Sequence, residues 1–258
     1  MEKKLLKCSY TNSNLARGLV LDRHCHLQHE LIFIFDGCIT VNVEGENRVV
    51  RRNMLIAIEP LKYHTITVNE NGAYDRFIIN FDISLVPETI RHDFITAIKN
   101  DPVAYSKEIS RAIGKMREIQ ESNSMEKFRP LLESCFIQIC YAFALKQYET
   151  GGDPLTTPLV SKIISYINDN LTEKITLEKI AAAMFLSVST VCHVFKKEMN
   201  ITIKQYIMQK KLTYAEELMR AGYTAVLASQ TIGYYNYVNF YNAYKKIFGK
   251  APSINERS

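Results

Sequence analysis

The sequence predicts an α+β protein: an N-terminal β-barrel carrying two helices, then an all-α segment in which a two-helix unit occurs twice, joined by one long helix. Three observations predict it. Residues 17–83 run as short alternating or apolar stretches broken by glycine, proline and asparagine, the pattern of strands and tight turns. The chain after residue 158 instead spaces its apolar residues as helices do. Finally, one block of that helical segment recurs 49 residues further on.

The strands come first. "ELIFIFDG" is an apolar run ending at Gly37, and "CITVNVEGENRVV" alternates, turns at Glu44-Gly45-Glu46-Asn47 and returns. "MLIAIEP" stops at Pro60, "YHTITV" alternates again, and "DRFIINFDI" is another apolar run. Six or so short strands at close spacing make a small sandwich or barrel. Two helical patterns follow, roughly 104–121 and 126–148. The second carries Leu132, Phe136, Ile139 and Phe143 at spacings of 4, 3 and 4. Such a stripe fits a helix packed on its own barrel and equally a dimer seam. "ETGGDPLTTP" then supplies glycines and prolines for a connector. The expected division is a domain over 1–150, a linker over 151–158 and a domain over 159–258.

Composition sets bounds. At 258 residues, 47% apolar and 23% charged, the chain suffices for two domains with cores of their own. No apolar run approaches twenty residues, and Met1 to Lys7 has no signal core. The six cysteines form no C-x-x-C pair, which predicts reduced thiols and a cytoplasmic protein, with no membrane partner. Charge is uneven: residues 158–258 hold 13 Lys+Arg against 7 Asp+Glu, whereas residues 1–157 hold 19 against 20. A basic segment favours a polyanionic partner.

The basic segment contains "ITLEKIAAAMFLSVSTVCHVFKKEMN". Thr176 can cap a helix running to about Met184, with Ile180, Ala181 and Met184 on its apolar face. After a turn of about three residues, Ser187 caps a second helix with Val191, Val194 and Phe195 inside. That is a helix-turn-helix, whose second helix enters the major groove of DNA. Ser187, Val191, His193, Phe195, Lys196 and Lys197 recur as Asn236, Phe240, Asn242, Tyr244, Lys245 and Lys246. The two units span about 176–198 and 224–247. Between them "TIKQYIMQKKLTYAEELMRAG" reads as one helix of some 18 residues, about 27 Å long, against the ~34 Å of one DNA turn.

In these residues the chain resembles the AraC/XylS family of transcription regulators. "ITLEKIAAAMFLSVSTVCHVFKKEMNITIKQYIMQKKLTYAEELM" and "IGYYNYVNFYNAYKKIFGKAPS" carry the resemblance. Gly233, Tyr234, Phe240, Tyr244, Lys245, Lys246, Gly249 and Pro252 match the family signature. Ser189, Thr190, Cys192, His193, Asn239 and Asn242 are then candidate base contacts, and Lys196, Lys197, Lys245 and Lys246 candidate phosphate contacts. The family often has arginine at His193 and Asn242. Arginine reads guanine and asparagine reads adenine, so the second helix is expected to prefer adenine at its central contact.

The resemblance reaches the barrel. "RHCHLQHELIFIFDG" looks like the first cupin motif through His24, His26, Glu30 and Gly37. "NMLIAIEPLKYH" resembles the second, with Asn53 in place of the usual glycine, Pro60 matching and His64 following. Cupin enzymes bind a metal with these ligand types. Regulators of this architecture often use the pocket for a sugar or other polar effector instead. His24, His26, Glu30 and His64 are therefore candidate effector-pocket residues, candidate ligands of a divalent transition metal, or structural strand-end partners. His24 and His26, two apart on a strand, face one side; His29 is expected at the surface and Cys25 in the core. No certain cofactor is read.

No catalytic grouping is visible, so the expectation is a non-enzyme: a sequence-specific DNA-binding transcriptional regulator. Its expected partners are double-stranded DNA, a small-molecule effector and a second copy, with RNA polymerase and an activating role implied by the resemblance alone. The competing readings are a metal-dependent cupin enzyme or metal sensor fused to a DNA-binding domain, and an architectural DNA-binding protein.

Overall fold

The computed structural model describes residues 6–122, 126–150, 158–199 and 201–252. The expected linker lies outside them except for Pro158. Two compact units emerge: Met1–Arg23, Gln28–Val43 and Asn47–Leu155 form one, and His24–Leu27, Glu44–Glu46 and Thr156–Ser258 the other.

The first unit holds two sheets. One has the order β1 (Leu6–Leu15), β8 (Gly72–Phe81), β3 (His29–Asp36), β6 (Met54–Ile58), β9 (Val103–Tyr105) and β10 (Glu149–Thr150). The other runs β2 (Val20–His24), β7 (His64–Val68), β4 (Cys38–Val43) and β5 (Glu46–Arg51). Helices α1 (Glu88–Asn100), α2 (Lys107–Glu121) and α3 (Arg129–Ala144) complete it. β3 explains why its sequence is an unbroken apolar run. Leu31 and Phe33 pack with Phe94, Met116 and Phe136 of the three helices, while Ile32 and Ile34 pack with Ile39, Val41 and Ile66 of the second sheet. Each face meets a separate core, so neither can be polar.

Two turns decide the register around β3. Gly37 has φ +104, and a Cβ there would lie 2.8 Å from the Ala73 carbonyl oxygen, so only glycine fits. Asn53 has φ 62, a left-handed conformation that asparagine tolerates, which is how it stands in for glycine.

Four points of the sequence reading are corrected. β1 was not expected: it is a half-exposed edge strand rich in Ser, Thr and Asn, so its alternation is weak. α1 was also not expected, although Ile90, Phe94, Ala97 and Ile98 form its buried stripe, and the helix expected from 104 starts at Lys107 because β9 occupies 103–105. The dimer seam is corrected as well. Leu132, Phe136, Ile139 and Phe143 are 3%, 1%, 0% and 0% exposed, spent on the unit's own core. A side chain without accessible surface cannot also face a partner. The outer face of α3 carries Leu131, Tyr141 and Leu145 instead, each at least 39% exposed.

The second unit contains α4 (Pro158–Asp169), α5 (Leu177–Ala183), α6 (Val188–Met199), α7 (Ile203–Arg220), α8 (Ala225–Thr231) and α9 (Tyr237–Phe248). Local chemistry sets the boundaries. Thr176 Oγ1 accepts from the Lys179 amide, Thr224 Oγ1 from Leu227, and Asn236 Oδ1 from Val238 and Asn239. α7 opens on a full capping box: Thr202 Oγ1 accepts from the Gln205 amide, and Gln205 Oε1 accepts from the Thr202 amide. α5 and α6 meet at a bend of 93°, the angle of a helix-turn-helix. Among the described residues no single helix is long and apolar enough to cross a membrane.

Candidate functional site

The candidate nucleic-acid interface is defined by which side of α6 and α9 is left outside. In α6, Val191, Phe195 and Met199 are buried at i, i+4 and i+8, which turns Ser189, Thr190, His193, Lys196 and Lys197 to the exposed face. In α9, Phe240 and Tyr244 are buried, and Asn239, Asn242, Lys245 and Lys246 are exposed. Cys192 is only partly exposed, at the edge of the α6 face. The Thr190 hydroxyl lies 2.8 Å from that of Ser187, whose oxygen also accepts from the Thr190 amide, so Thr190 shares its hydroxyl with the helix cap.

Sequence reasoning missed Val238. It is 62% exposed on the first turn of α9, one turn before Asn242, and the 49-residue repeat pairs it with Ser189. Reading the repeat at every exposed position, rather than at core and cap positions alone, would have found it. Tyr235, just before the helix, is 91% exposed.

Sequence reasoning also missed Lys211. Midway along α7, its side chain is buried, and its Nζ donates to the carbonyl oxygens of Glu173 and Ile232, both at 2.7 Å. Burial alone lowers its pKa. A buried ammonium is tolerated where carbonyls replace water.

In the barrel, Glu30 shares its strand face with Ile32 and Ile34, and His64 shares its face with Ile66, so both project inside. They meet: His64 Nε2 lies 3.1 Å from Glu30 Oε2, with both side chains buried. His64 Nδ1 faces the Lys62 carbonyl oxygen at 3.0 Å and so carries a hydrogen. That fixes the ring and turns Nε2 towards the carboxylate. His24 and His26, half-buried, have ring centroids 5.3 Å apart. His29 is half-buried rather than a free surface residue, because its ring stacks on Phe81 at 5.2 Å. Cys25 is buried. The His64 imidazole and Glu30 carboxylate are donors of the type a divalent transition metal takes, and they suit the hydroxyls or amines of a polar molecule equally well.

Comparison with known proteins bears on both parts. Residues 13–138 match the AraC-like ligand binding domain, and residues 180–255 match a helix-turn-helix domain. The chain belongs to the AraC family. This AraC-family chain is 34% identical over 96 residues to the HTH-type transcriptional regulator YdiP of Escherichia coli K12, covering 37% of the chain and 32% of that protein. It is 28% identical over 92 residues to the probable transcriptional regulator LumQ of Photobacterium leiognathi, covering 35% and 37%. It thus spans about a third of the length of these curated relatives. Among solved structures, ToxT from Vibrio cholerae O395 aligns over 95% of both chains with a TM-score of 0.43 and 12% identity.

Proposed function

We propose that this chain is a sequence-specific DNA-binding transcriptional regulator whose barrel binds a small polar effector. One observation carries the reading: α6 and α9 each present a capped, exposed polar face ending in a lysine pair, and the 18-residue α7 joins them. That helix is about 27 Å long, so the two faces suit successive turns of one duplex. Ser189, His193, Val238, Asn239 and Asn242 are the base-facing set, with Thr190 and Cys192 beside them. Lys196, Lys197, Lys245 and Lys246 hold the backbone. Site selection from random duplexes with wild type and Asn242→Arg tests this. A switch from adenine to guanine at one position is expected; an unchanged site sinks the assignment.

The effector reading rests on the buried Glu30–His64 pair of the barrel. An imidazole with a carboxylate can hold a polar ligand, a sugar among them, and metal enters the same screen as an alternative occupant. A thermal-shift screen of sugars, amino acids and divalent metals against the full chain is the check. A hit that survives His64→Leu would place the ligand elsewhere.

The reading includes a homodimer formed by the outer face of α3. Leu131, Ser134, Gln138, Tyr141 and Leu145 follow one another at spacings of 3, 4, 3 and 4 along that exposed side. Activation, through contact with RNA polymerase, is inferred from the family alone.

A further inference from the structure

The two reading units dock on different halves of α7. In the first, Phe195 of α6 packs edge-on against Tyr206, with ring centroids 5.5 Å apart. In the second, Ala228, Ile232, Phe240 and Tyr244 of α8, the following turn and α9 form one core with Leu212, Ala215 and Met219. Lys211 stands at the junction. Its Nζ donates to Glu173, in the loop that leads into the first unit, and to Ile232, in the turn of the second. The turn comes close enough for this because residue 233 is glycine. Its φ is +78, and a Cβ there would lie 3.3 Å from Lys211 Nζ and 3.6 Å from the Thr172 carbonyl oxygen. One ammonium therefore ties both units to the same point of the helix, while the apolar core of the second does not involve it.

We propose that Lys211 is a positioning residue for DNA: its two carbonyl bonds fix the distance and rotation between the recognition helices, and so the half-site spacing the chain accepts. This rests on the reading that α6 and α9 both enter DNA. Adding one base pair between half-sites moves one of them by ~3.4 Å and rotates it by roughly 35°. A rigid pair of helices cannot follow that change, whereas a pair joined only through their separate contacts with α7 can.

The test uses the full chain and a duplex selected by the wild type, with the spacing lengthened or shortened by one base pair. A duplex keeping a single half-site is the control. Wild type is expected to lose affinity about tenfold or more off its preferred spacing, as for a mismatched contact, while Lys211→Met loses only about threefold. Single-half-site affinity stays equal in the two, and Lys211→Arg, which keeps the donors, restores the discrimination. Lys211→Met that discriminates spacing as sharply as wild type overturns the inference, and so does a loss confined to single-half-site binding. If Lys211→Met does not fold by circular dichroism, Lys211→Gln is measured instead, and unchanged discrimination there overturns it equally. A wild type that binds every duplex alike refutes the DNA-reading assignment itself, which separates the two failures.

Discussion

At the scale of single residues, the proposed function makes the exposed positions of α9 the ones that select the base sequence. Val238 offers only methyl groups, whose natural partner in the major groove is the thymine methyl. Val238→Ser is therefore expected to weaken binding by about 1 kcal/mol at one A·T pair and leave the others unchanged, measured by competition against single-base variants of the selected site. Cys192 gives a second check. Burial pushes the Cys8 thiol up to about 12 and raises that of Cys140 further, while Cys192 alone of the six is not buried. Only thiolate reacts, so iodoacetamide should label Cys192 first in the folded chain, and bound DNA should slow it. Labelling of Cys8 at an equal rate by peptide mass spectrometry would contradict this. The Glu30–His64 pair is a residue-scale device too. His64→Leu removes the imidazole 3.1 Å from the buried Glu30 carboxylate, and about 3 kcal/mol of stability is expected to be lost; adding Glu30→Leu should return part of it. Urea denaturation of the two single variants and the double variant measures that coupling.

At the scale of elements, caps were legible and partners were not. Thr176, Ser187 and Asn236 were read from the sequence as helix starts because a cap is a local bond, made within three residues. The Thr202–Gln205 box belongs to the same class, and Thr202→Ala should cost about 1 kcal/mol, with faster amide exchange confined to the first turn of α7. α3 shows the other side. Its stripe at 132, 136, 139 and 143 was plain, but periodicity says only that a face is buried, not against what. Five strands of the larger sheet and two more helices claim that face. Replacing exposed Leu131 and Tyr141 by lysine is accordingly expected to produce folded monomers in sedimentation velocity, whereas Phe136→Lys should abolish folding.

At the scale of the whole molecule, charge and repetition carry the functional reading. On the proposed reading, the four lysines at the ends of α6 and α9 each release about one counterion, so every Lys→Ala change lowers the slope of log affinity against log salt by about 0.9. A lysine whose removal leaves the slope unchanged is a solvated one. What the sequence alone determined is what depends on neighbours along the chain: the strand and helix periods, the caps, the internal repeat and the family to which they belong. Tertiary structure decided what depends on distant neighbours. It sent the α3 stripe inwards, set His64 of one strand against Glu30 of another, and buried the ammonium of Lys211 between two carbonyls far from it in sequence. No spacing rule encodes such meetings, because burial and hydrogen-bond partners are fixed only once separate elements have packed.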